Sequence, residues 1–248
     1  MREPLRRYGA PELTVLDDAS AVAWHAAGWL AEKLSSGSQA VAVCLSGGTT
    51  PRTLYGTLAQ TPYREAMPWA RIHWFWCDER FVPATDERSN YHMVQKLLFE
   101  RVPVPRERIH RIRTEGGSAA AAAAAYEEEL RRFYGAGTLE PERPLFDLAL
   151  LGVGEDGHTA SLFPGSPLLE ERARWVACLT GAGAVPRVTL TYPVLESSRD
   201  VAFLVTGAGK RAIMQRIVEG EAELPAARLQ PVGRLHWFLD RAAAPRDG

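Results

Sequence analysis

Four short segments of this sequence carry side chains that can bind an anion or transfer a proton. They are residues 46–51 (SGGTTP), 78–80 (DER), 152–159 (GVGEDGHT) and 206–210 (TGAGK), and each follows an apolar run typical of a buried strand. In an open parallel sheet, ligands bind outside the carboxyl ends of the strands, where the loops diverge and helix N-termini point into the crevice. The sequence therefore predicts that these segments converge on one small-molecule site.

The segment at residues 46–51 has the composition of an anion-binding loop. Gly47 and Gly48 let the backbone turn its N–H groups toward one point, the hydroxyls of Ser46 and Thr49 flank them, and Thr50-Pro51 is a strong helix start. These features predict a cradle for a phosphate at a helix N-terminus. A tight strand-to-helix turn without a ligand is the alternative. The G-x-x-x-x-G-K-[ST] spacing of a phosphate-binding P-loop is absent here.

His158 is the strongest candidate for a general base. Imidazole exchanges protons near neutral pH, and Asp156, two residues earlier, can fix its tautomer and stabilise its charged form. We interpret the other histidines as structural or surface residues. Because no H-E-x-x-H or comparable pairing occurs, the sequence predicts no metal site. These other histidines are His25, His73, His92, His110 and His236.

Two further segments supply positive charge. Arg80 can reach a phosphate while Asp78 orients a ligand hydroxyl or a water molecule, unless both are solvated turn residues. Lys210 stands at the start of a helix behind a strand, where its ammonium could close on a phosphate or lie in solvent. Its segment is not a P-loop, because Leu204 and Arg211 occupy positions where that motif requires Gly and Ser or Thr.

Residues 152–157 also fit the G-x-G-x-x-G pattern of dinucleotide-binding proteins. A true fingerprint opens a long helix and has an acidic residue about 20 positions further on. Here Pro164-Gly165 interrupts the following segment, and position 177 is Ala. The sequence therefore argues against a nicotinamide or flavin cofactor.

Short β-type runs that alternate with helical patterns position these loops. They predict an α/β fold with a Rossmann-like, mainly parallel sheet and helices on both faces. The predicted strands are residues 40–45, 71–77, 146–151, 188–192, 200–206 and 235–239, with 13–16 as a possible edge strand. The predicted helices include residues 18–34, capped by Asp17 or Asp18 and ended at Gly37, one that begins at Thr50-Pro51, and a surface helix from the alanine run at 119–125.

Composition narrows the class of protein further. The 248 residues are 46% hydrophobic and 24% charged, as in globular proteins, and no composition change marks a boundary, so we expect one domain over 1–248. A net charge of −1 gives no positive field for nucleic acid or an anionic bilayer, and no apolar run is long enough to span a membrane.

Cys44, Cys77 and Cys178 are too few and too widely spaced for a disulfide framework, and we interpret them as buried thiols. We therefore expect a cytoplasmic protein.

Five segments between residues 45 and 213 together resemble one family, the 6-phosphogluconolactonases, within a larger group that includes glucosamine-6-phosphate deaminases. They are LSGGTTPRTLY, WFWCDERFVPATDERSNYHM, FDLALLGVGEDGHTASLFPGS, PRVTLTYPVL and VAFLVTGAGKRAI. The resemblance implies a Rossmann-like fold and hydrolysis of 6-phospho-D-glucono-1,5-lactone in the pentose phosphate pathway, with no metal or organic cofactor.

The resemblance also implies roles for individual residues. It places the catalytic histidine at His158 and its aspartate at Asp156, and the sugar-phosphate loop at Ser46, Gly47, Gly48 and Thr49. It implies that three basic residues, Arg80, Arg187 and Lys210, hold the phosphate or the lactone oxygens. It also implies that Asp78 occupies an acidic position that the deaminases use.

Two other functions are compatible with parts of the pattern. The related deaminases carry a glutamate five residues after the histidine, where this chain has Phe163, and the next acid after His158 is Glu170. A sugar-phosphate sensor would normally have a DNA-binding module, and no basic helix-turn-helix segment precedes the first predicted strand. The residues present favour lactone hydrolysis.

Overall fold

A six-stranded, fully parallel sheet forms the centre of the molecule. The computed structural model describes residues 10–35, 39–181 and 184–246. Its strands are β1 (Glu12–Leu16), β2 (Val41–Leu45), β3 (Ile72–Trp76), β5 (Phe146–Leu151), β8 (Ser198–Val205) and β9 (Arg234–Asp240). They lie in the order β1-β9-β8-β5-β2-β3, and every neighbouring pair is parallel. The possible edge strand is thus confirmed as β1.

Helices occur in every connection between successive strands of this sheet. They are α1 (Ala19–Ser35), α2 (Thr49–Leu58), α3 (Tyr63–Ala66), α4 (Asn90–Val94), α5 (Ala119–Tyr134), α6 (Tyr192–Glu196), α7 (Arg211–Val218) and α8 (Pro225–Arg228). One turn of π-helix (Gln95–Phe99) continues α4. Short 3₁₀ turns occur at Trp69–Arg71, Arg106–Arg108, Pro167–Glu170 and Ala208–Lys210.

Alternate residues of the strands pack against helices on opposite faces of the sheet. In β3, Trp76 lies against Tyr91 of α4 and Phe99 of the π-turn, with ring centroids 5.6 and 6.1 Å apart. The adjacent Phe75 instead packs on Phe133 of α5, at 4.9 Å. Because successive side chains of a strand point to opposite faces, these contacts confirm that helices cover both faces. This cover explains why the central strands are apolar throughout.

The predicted strand at residues 188–192 does not join the parallel sheet. It is β7 (Arg187–Leu190), the middle strand of a second, antiparallel sheet between β4 (Asp78–Arg80) and β6 (Val176–Leu179). Residues 78–80 were predicted to follow a strand as ligand-binding or turn residues, and neither β4 nor β6 was predicted from the sequence. A strand of three charged residues lacks the apolar pattern by which strands are recognised, and its pairing with β7 depends on tertiary structure.

The predicted helix ends are partly correct. Asp18 caps α1 through Oδ1, which accepts from the N–H of Ala21 at 2.8 Å, whereas Gly37 lies outside the described residues. The second helix begins two residues earlier than predicted, with Gly48 as its N-cap in place of Thr50 and Thr49 as its first residue in place of Pro51. Thr50 does not cap the helix, because its hydroxyl is 2.7 Å from that of Thr206 in a neighbouring loop.

The remaining predictions concern α5, the cysteines and the domain count. The helix predicted at the alanine run is α5, and one of its faces is buried. All three cysteines are free thiols; Cys44 and Cys77 are buried, whereas Cys178 is partly exposed and was wrongly predicted as buried. The single domain over 1–248 stays a prediction, supported by one hydrophobic core that draws residues from both sheets.

Candidate active site

The chemistry-bearing loops meet at the carboxyl ends of β2 and β5. The chain runs from β2 to β3 in one direction across the sheet, and β5 then starts the other half on the opposite side of β2. This reversal is the topological switch point at which open α/β sheets form a crevice. Nine of the ten residues predicted for the site line one cleft there: Ser46, Gly47, Gly48, Thr49, Asp78, Arg80, His158, Arg187 and Lys210. The tenth, Asp156, lies directly behind His158.

His158 and Asp156 form a hydrogen-bonded pair in the loop after β5. The imidazole Nδ1 is 2.5 Å from Asp156 Oδ1, which also accepts from the His158 backbone N–H at 3.1 Å. Partial burial acts to raise the pKa of Asp156, but these hydrogen bonds and the nearby imidazole outweigh it and lower that pKa. With Nδ1–H donated to the carboxylate, a neutral His158 keeps its Nε2 lone pair for a proton.

The close packing of this pair depends on Gly154. A Cβ at position 154 would collide with the imidazole of His158 and with Asp156 Oδ1. The Gly154 N–H also donates to the His158 carbonyl at 2.8 Å, which folds the loop back on itself. Two residues beyond His158, Ala160 has a φ of 49°, a conformation that costs free energy for a residue with a side chain. The loop is therefore shaped around the histidine.

The second sheet contributes two arginines and an aspartate to the opposite wall. Arg80 of β4 and Arg187 of β7 are cross-strand partners, so their guanidinium groups enter the cleft from neighbouring positions. Burial and the nearby charge of Arg80 lower the pKa of Arg187, while Asp78 and Glu79 act in the opposite direction. Like charges directly opposite each other in a sheet are unfavourable by themselves. An anion bound between them would relieve this repulsion.

Asp78 is buried and held by three neighbours. Its Oδ2 accepts from Ser161 Oγ at 2.6 Å and lies 3.9 Å from Arg187, and its Oδ1 accepts from Asn90 Nδ2 at 3.0 Å. The Ser161 bond ties the loop that carries His158 to the second sheet. This network fixes the relative positions of the histidine and the arginines.

Asn90 also lines the cleft and was not predicted as a site residue from the sequence. Its Oδ1 accepts from Arg80 Nη1 at 3.0 Å, so it links Arg80 to Asp78. A Cβ at Gly47 would collide with the Asn90 amide, which explains the glycine there. Asn90 follows no predicted strand. It lies in the triplet SNY (residues 89–91) within the second segment that resembles the lactonase family, and that triplet could have indicated it.

Glu79 is a buried carboxylate that organises the loop before α4. It accepts from the backbone N–H groups of Arg80, Asn90 and Tyr91 and from the Ser89 hydroxyl, at 2.7–2.9 Å. Burial nevertheless raises its pKa, although the four hydrogen bonds act to lower it. Glu79 thereby places Asn90 at the cleft without lining the cleft itself.

The loop after β2 has the geometry of an anion cradle. Gly48 has a φ of 105°, which a residue with a Cβ rarely adopts, and it turns the chain directly into α2. No side chain caps that helix, and an uncapped helix N-terminus leaves backbone N–H groups available to an anion. The buried Ser46 hydroxyl lines the cleft without a hydrogen-bond partner in the protein. A bound oxygen could satisfy it.

The loop after β8 completes the site with Lys210. The hydroxyls of Thr206 and Thr50 join this loop to the cradle, and the buried carboxylate of Asp240 accepts from the Gly207 N–H at 2.9 and 3.0 Å. These bonds hold the 3₁₀ turn that carries Lys210 at the cleft.

Neither a metal site nor a membrane span is found in the described part of the chain. Across residues 10–35, 39–181 and 184–246, no three His, Cys, Asp or Glu side chains are grouped so that they could hold a metal ion. Within the same ranges, every helix is too short or too polar to cross a bilayer.

The fold and the cleft define a doubly wound α/β protein with a cation-rich ligand site at its switch point. A sequence profile described as glucosamine-6-phosphate isomerases/6-phosphogluconolactonase matches residues 17–237. The chain belongs to this family.

Individual relatives agree with this assignment. The chain is 42% identical over 224 residues to 6-phosphogluconolactonase of Homo sapiens, covering 84% of this chain and 85% of the relative. It is 41% identical over 206 residues to that of Synechocystis, covering 81% and 82%. The crystal structure of 6-phosphogluconolactonase from Thermotoga maritima has a TM-score of 0.79 and 31% identity, covering 94% of this chain and all of the other.

Proposed function

We propose that this protein hydrolyses 6-phospho-D-glucono-1,5-lactone to 6-phosphogluconate, the lactone step of the pentose phosphate pathway. The observation that carries the proposal is the His158–Asp156 pair, which lies in a cleft that also contains Arg80, Arg187 and Lys210. A base and a concentration of positive charge in one cleft suit a substrate with both a phosphate and an ester bond. The names of the relatives support the same reaction.

The phosphate and the lactone ring of the substrate would bind in different parts of the cleft. The 6-phosphate would bind at the Ser46–Thr49 cradle, where the α2 N-terminus and Lys210 or Arg80 supply positive charge. The lactone ring would then extend toward His158. We assign the phosphate to the cradle because two glycines there bring backbone N–H groups close to a ligand.

In the proposed reaction His158 serves both half-steps. Its Nε2 takes a proton from a water molecule as the water oxygen bonds to C1, and the carbonyl oxygen becomes an oxyanion. As the C1–ring oxygen bond breaks, the imidazolium returns the proton to the departing oxygen. Asp156 orients the ring and stabilises its charged form. Candidate donors to the oxyanion are Arg187 and the backbone N–H groups of the glycine loops.

The alternative within the family is an aminosugar deaminase. Opening an aminosugar ring requires further proton relays, and among the described residues that line the cleft Asp78 is the only carboxylate. Asp78 is already bonded to Asn90 and Ser161. At the position where the deaminases carry glutamate, Phe163 packs against His158. The cleft therefore favours the lactone.

A coupled assay with freshly prepared phosphogluconolactone tests the proposal. We expect rapid hydrolysis of this lactone, much slower hydrolysis of unphosphorylated gluconolactone and no deamination of glucosamine 6-phosphate. Because we propose that no metal takes part, the rate should persist in EDTA. Deamination without lactone hydrolysis would reject the proposed function, and a rate lost in EDTA and restored by zinc or magnesium would reject its metal-free chemistry.

The remaining predictions about partners and location are also proposals. We infer that the partner is the small phosphorylated lactone and not a nucleic acid, because the net charge is −1. We also propose the cytoplasmic location predicted from the sequence. It stays a proposal because some plant relatives are chloroplastic by name.

A further inference from the structure

Phe163 differs from every other phenylalanine of the chain in what it packs against. The sequence has eight phenylalanines, and seven belong to the hydrophobic core or pack directly on it: Phe75, Phe81, Phe99, Phe133, Phe146, Phe203 and Phe238. Phe163 does neither and is half-buried. A phenylalanine that does not contribute to the core requires another explanation.

The ring of Phe163 contacts two residues of the cleft. Its centroid is 4.5 Å from that of the His158 imidazole, at an interplanar angle of 39°. The guanidinium carbon of Arg187 lies over the same ring, 5.5 Å from its centroid. His158 and Arg187 line the cleft, whereas Phe163 is not among its lining residues. The phenyl ring therefore supports both side chains from behind.

Phe163 is not needed to anchor its own loop. The neighbouring Leu162 is fully buried, and its N–H donates to the Thr159 carbonyl at 2.9 Å. Ser161 bonds to Asp78 from the same turn. These contacts already hold the backbone of the loop against the core. The aromatic ring of Phe163 is therefore not needed for that purpose, and its own contacts are with His158 and Arg187.

We propose that Phe163 is a positioning residue that orients the general base and Arg187 together, an inference that rests on the proposed function. The hydrogen bond to Asp156 holds the imidazole at Nδ1 alone, and the phenyl ring limits how far the imidazole can tilt about that bond. The electron-rich face of the ring also attracts the Arg187 cation. One side chain thereby sets the distance between the base and a cation that faces the substrate.

Ring-removing and ring-keeping substitutions test this role. Phe163→Leu keeps apolar volume but removes the ring. We expect kcat to fall about 10- to 100-fold, because a small misplacement of a catalytic group lowers the rate by such a factor, and we expect a smaller rise in KM. Phe163→Tyr keeps the ring and should retain most of the activity. Phe133→Leu is the matched control, because Phe133 packs on Phe75 away from the cleft. That control should lower the thermal stability without lowering kcat.

A spectroscopic readout separates this inference from the identity of the substrate. The ring current of Phe163 should displace the His158 carbon-bound proton resonances, which are assigned by their loss in His158→Ala. Phe163→Leu should abolish this displacement, and Phe133→Leu should preserve it. Unchanged resonances and unchanged kcat in Phe163→Leu would overturn the positioning role, and so would equal losses of kcat in the two leucine variants. If the wild type hydrolyses no phosphogluconolactone, the proposed function fails while the resonances still test the contact.

Discussion

At the scale of single residues, the proposed reaction depends on the imidazole of His158, which a carboxylate and a phenyl ring contact from two sides. Asp156 bonds to Nδ1 and Phe163 lies against the ring, so the free nitrogen of His158 has a defined direction. Other histidines are held differently; the buried His236 bonds to Asp200 at 2.7 Å and is part of the fold. From the sequence, His158 was chosen among the six histidines because it lies in a glycine-rich loop after a predicted strand, two residues from Asp156.

Replacement of His158 by alanine should remove catalysis without removing binding. A positioned general base contributes about 10²- to 10⁴-fold, so kcat of His158→Ala should fall by that factor. Affinity for 6-phosphogluconate, measured by calorimetry, should change little, because the proposed phosphate contacts lie on other loops. His25→Ala, at an exposed position on α1, is the control. Near-normal turnover in His158→Ala would place the base elsewhere, with Asp78 as the next residue to test.

Lys210 should act on substrate affinity. The loss of a charge-assisted hydrogen bond costs about 1.5–3 kcal/mol, so Lys210→Ala should raise KM for the phosphorylated lactone at least about 10-fold. The effect on unphosphorylated gluconolactone should be much smaller. Lys96→Ala, which removes a surface ion pair with Glu100, is the matched control. Equal effects on both lactones would place Lys210 outside the phosphate site.

At the scale of elements, the parallel sheet was predictable and the second sheet was only partly so. Strands such as β2 and β8 are apolar on both faces, and their sequence shows it. β4 is three charged residues long, and its pairing with β7 joins positions more than 100 residues apart. Local sequence carries no record of such a pairing.

The same limit applies to the site. The loops after β2, β5 and β8 were identified because glycines and polar residues directly follow apolar runs. Asn90 was missed because a buried carboxylate, Glu79, brings it to the cleft from the start of α4. The position of Arg187 in the cleft likewise depends on the second sheet, and only the resemblance pointed to it. Residues that reach a site through tertiary contacts cannot be identified by their position directly after a strand.

The contact between the cradle and Asn90 at the start of α4 gives a prediction at this scale. A methyl group at Gly47 would displace the Asn90 amide, and with it the bonds to Asp78 and Arg80. Gly47→Ala should therefore lower kcat/KM strongly and destabilise the fold by about 1–3 kcal/mol, as overpacking does.

The control for this substitution is a glycine in α2, the helix that follows the cradle. Gly56 of α2 has no atom within 4 Å of where its Cβ would lie. Gly56→Ala should keep full activity and stabilise the helix by up to about 1 kcal/mol. If Gly47→Ala binds 6-phosphogluconate and turns over like Gly56→Ala, the close approach to Asn90 is unimportant.

At the scale of the whole molecule, the buried carboxyl of Glu196 leads to a prediction of how stability changes with pH. It ends α6, and its Oε1 and carbonyl accept from the backbone of residues 230 and 232 in the segment before β9. Burial raises the pKa of its carboxyl from 4.5 to about 7, against the hydrogen bond from Gln230 and the charges of Arg172 and Arg228. The folded protein therefore keeps a proton on Glu196 that the unfolded chain releases.

This difference in the pKa of Glu196 between the folded and unfolded states determines whether stability rises or falls with pH. Below about pH 4.5 the carboxyl is protonated in both states, and stability is unaffected. As the pH rises toward 7, only the unfolded chain ionises, so the folded state loses up to about 3 kcal/mol, at 1.36 kcal/mol for each pKa unit. Glu196→Gln cannot ionise and still offers an oxygen to Gln230. We expect it to match the wild type near pH 4 and to be more stable near pH 8, as measured by urea unfolding. The exposed Glu32→Gln on α1 should show no such gain, and equal pH dependence in wild type and Glu196→Gln would show that this carboxyl is ionised in the folded protein.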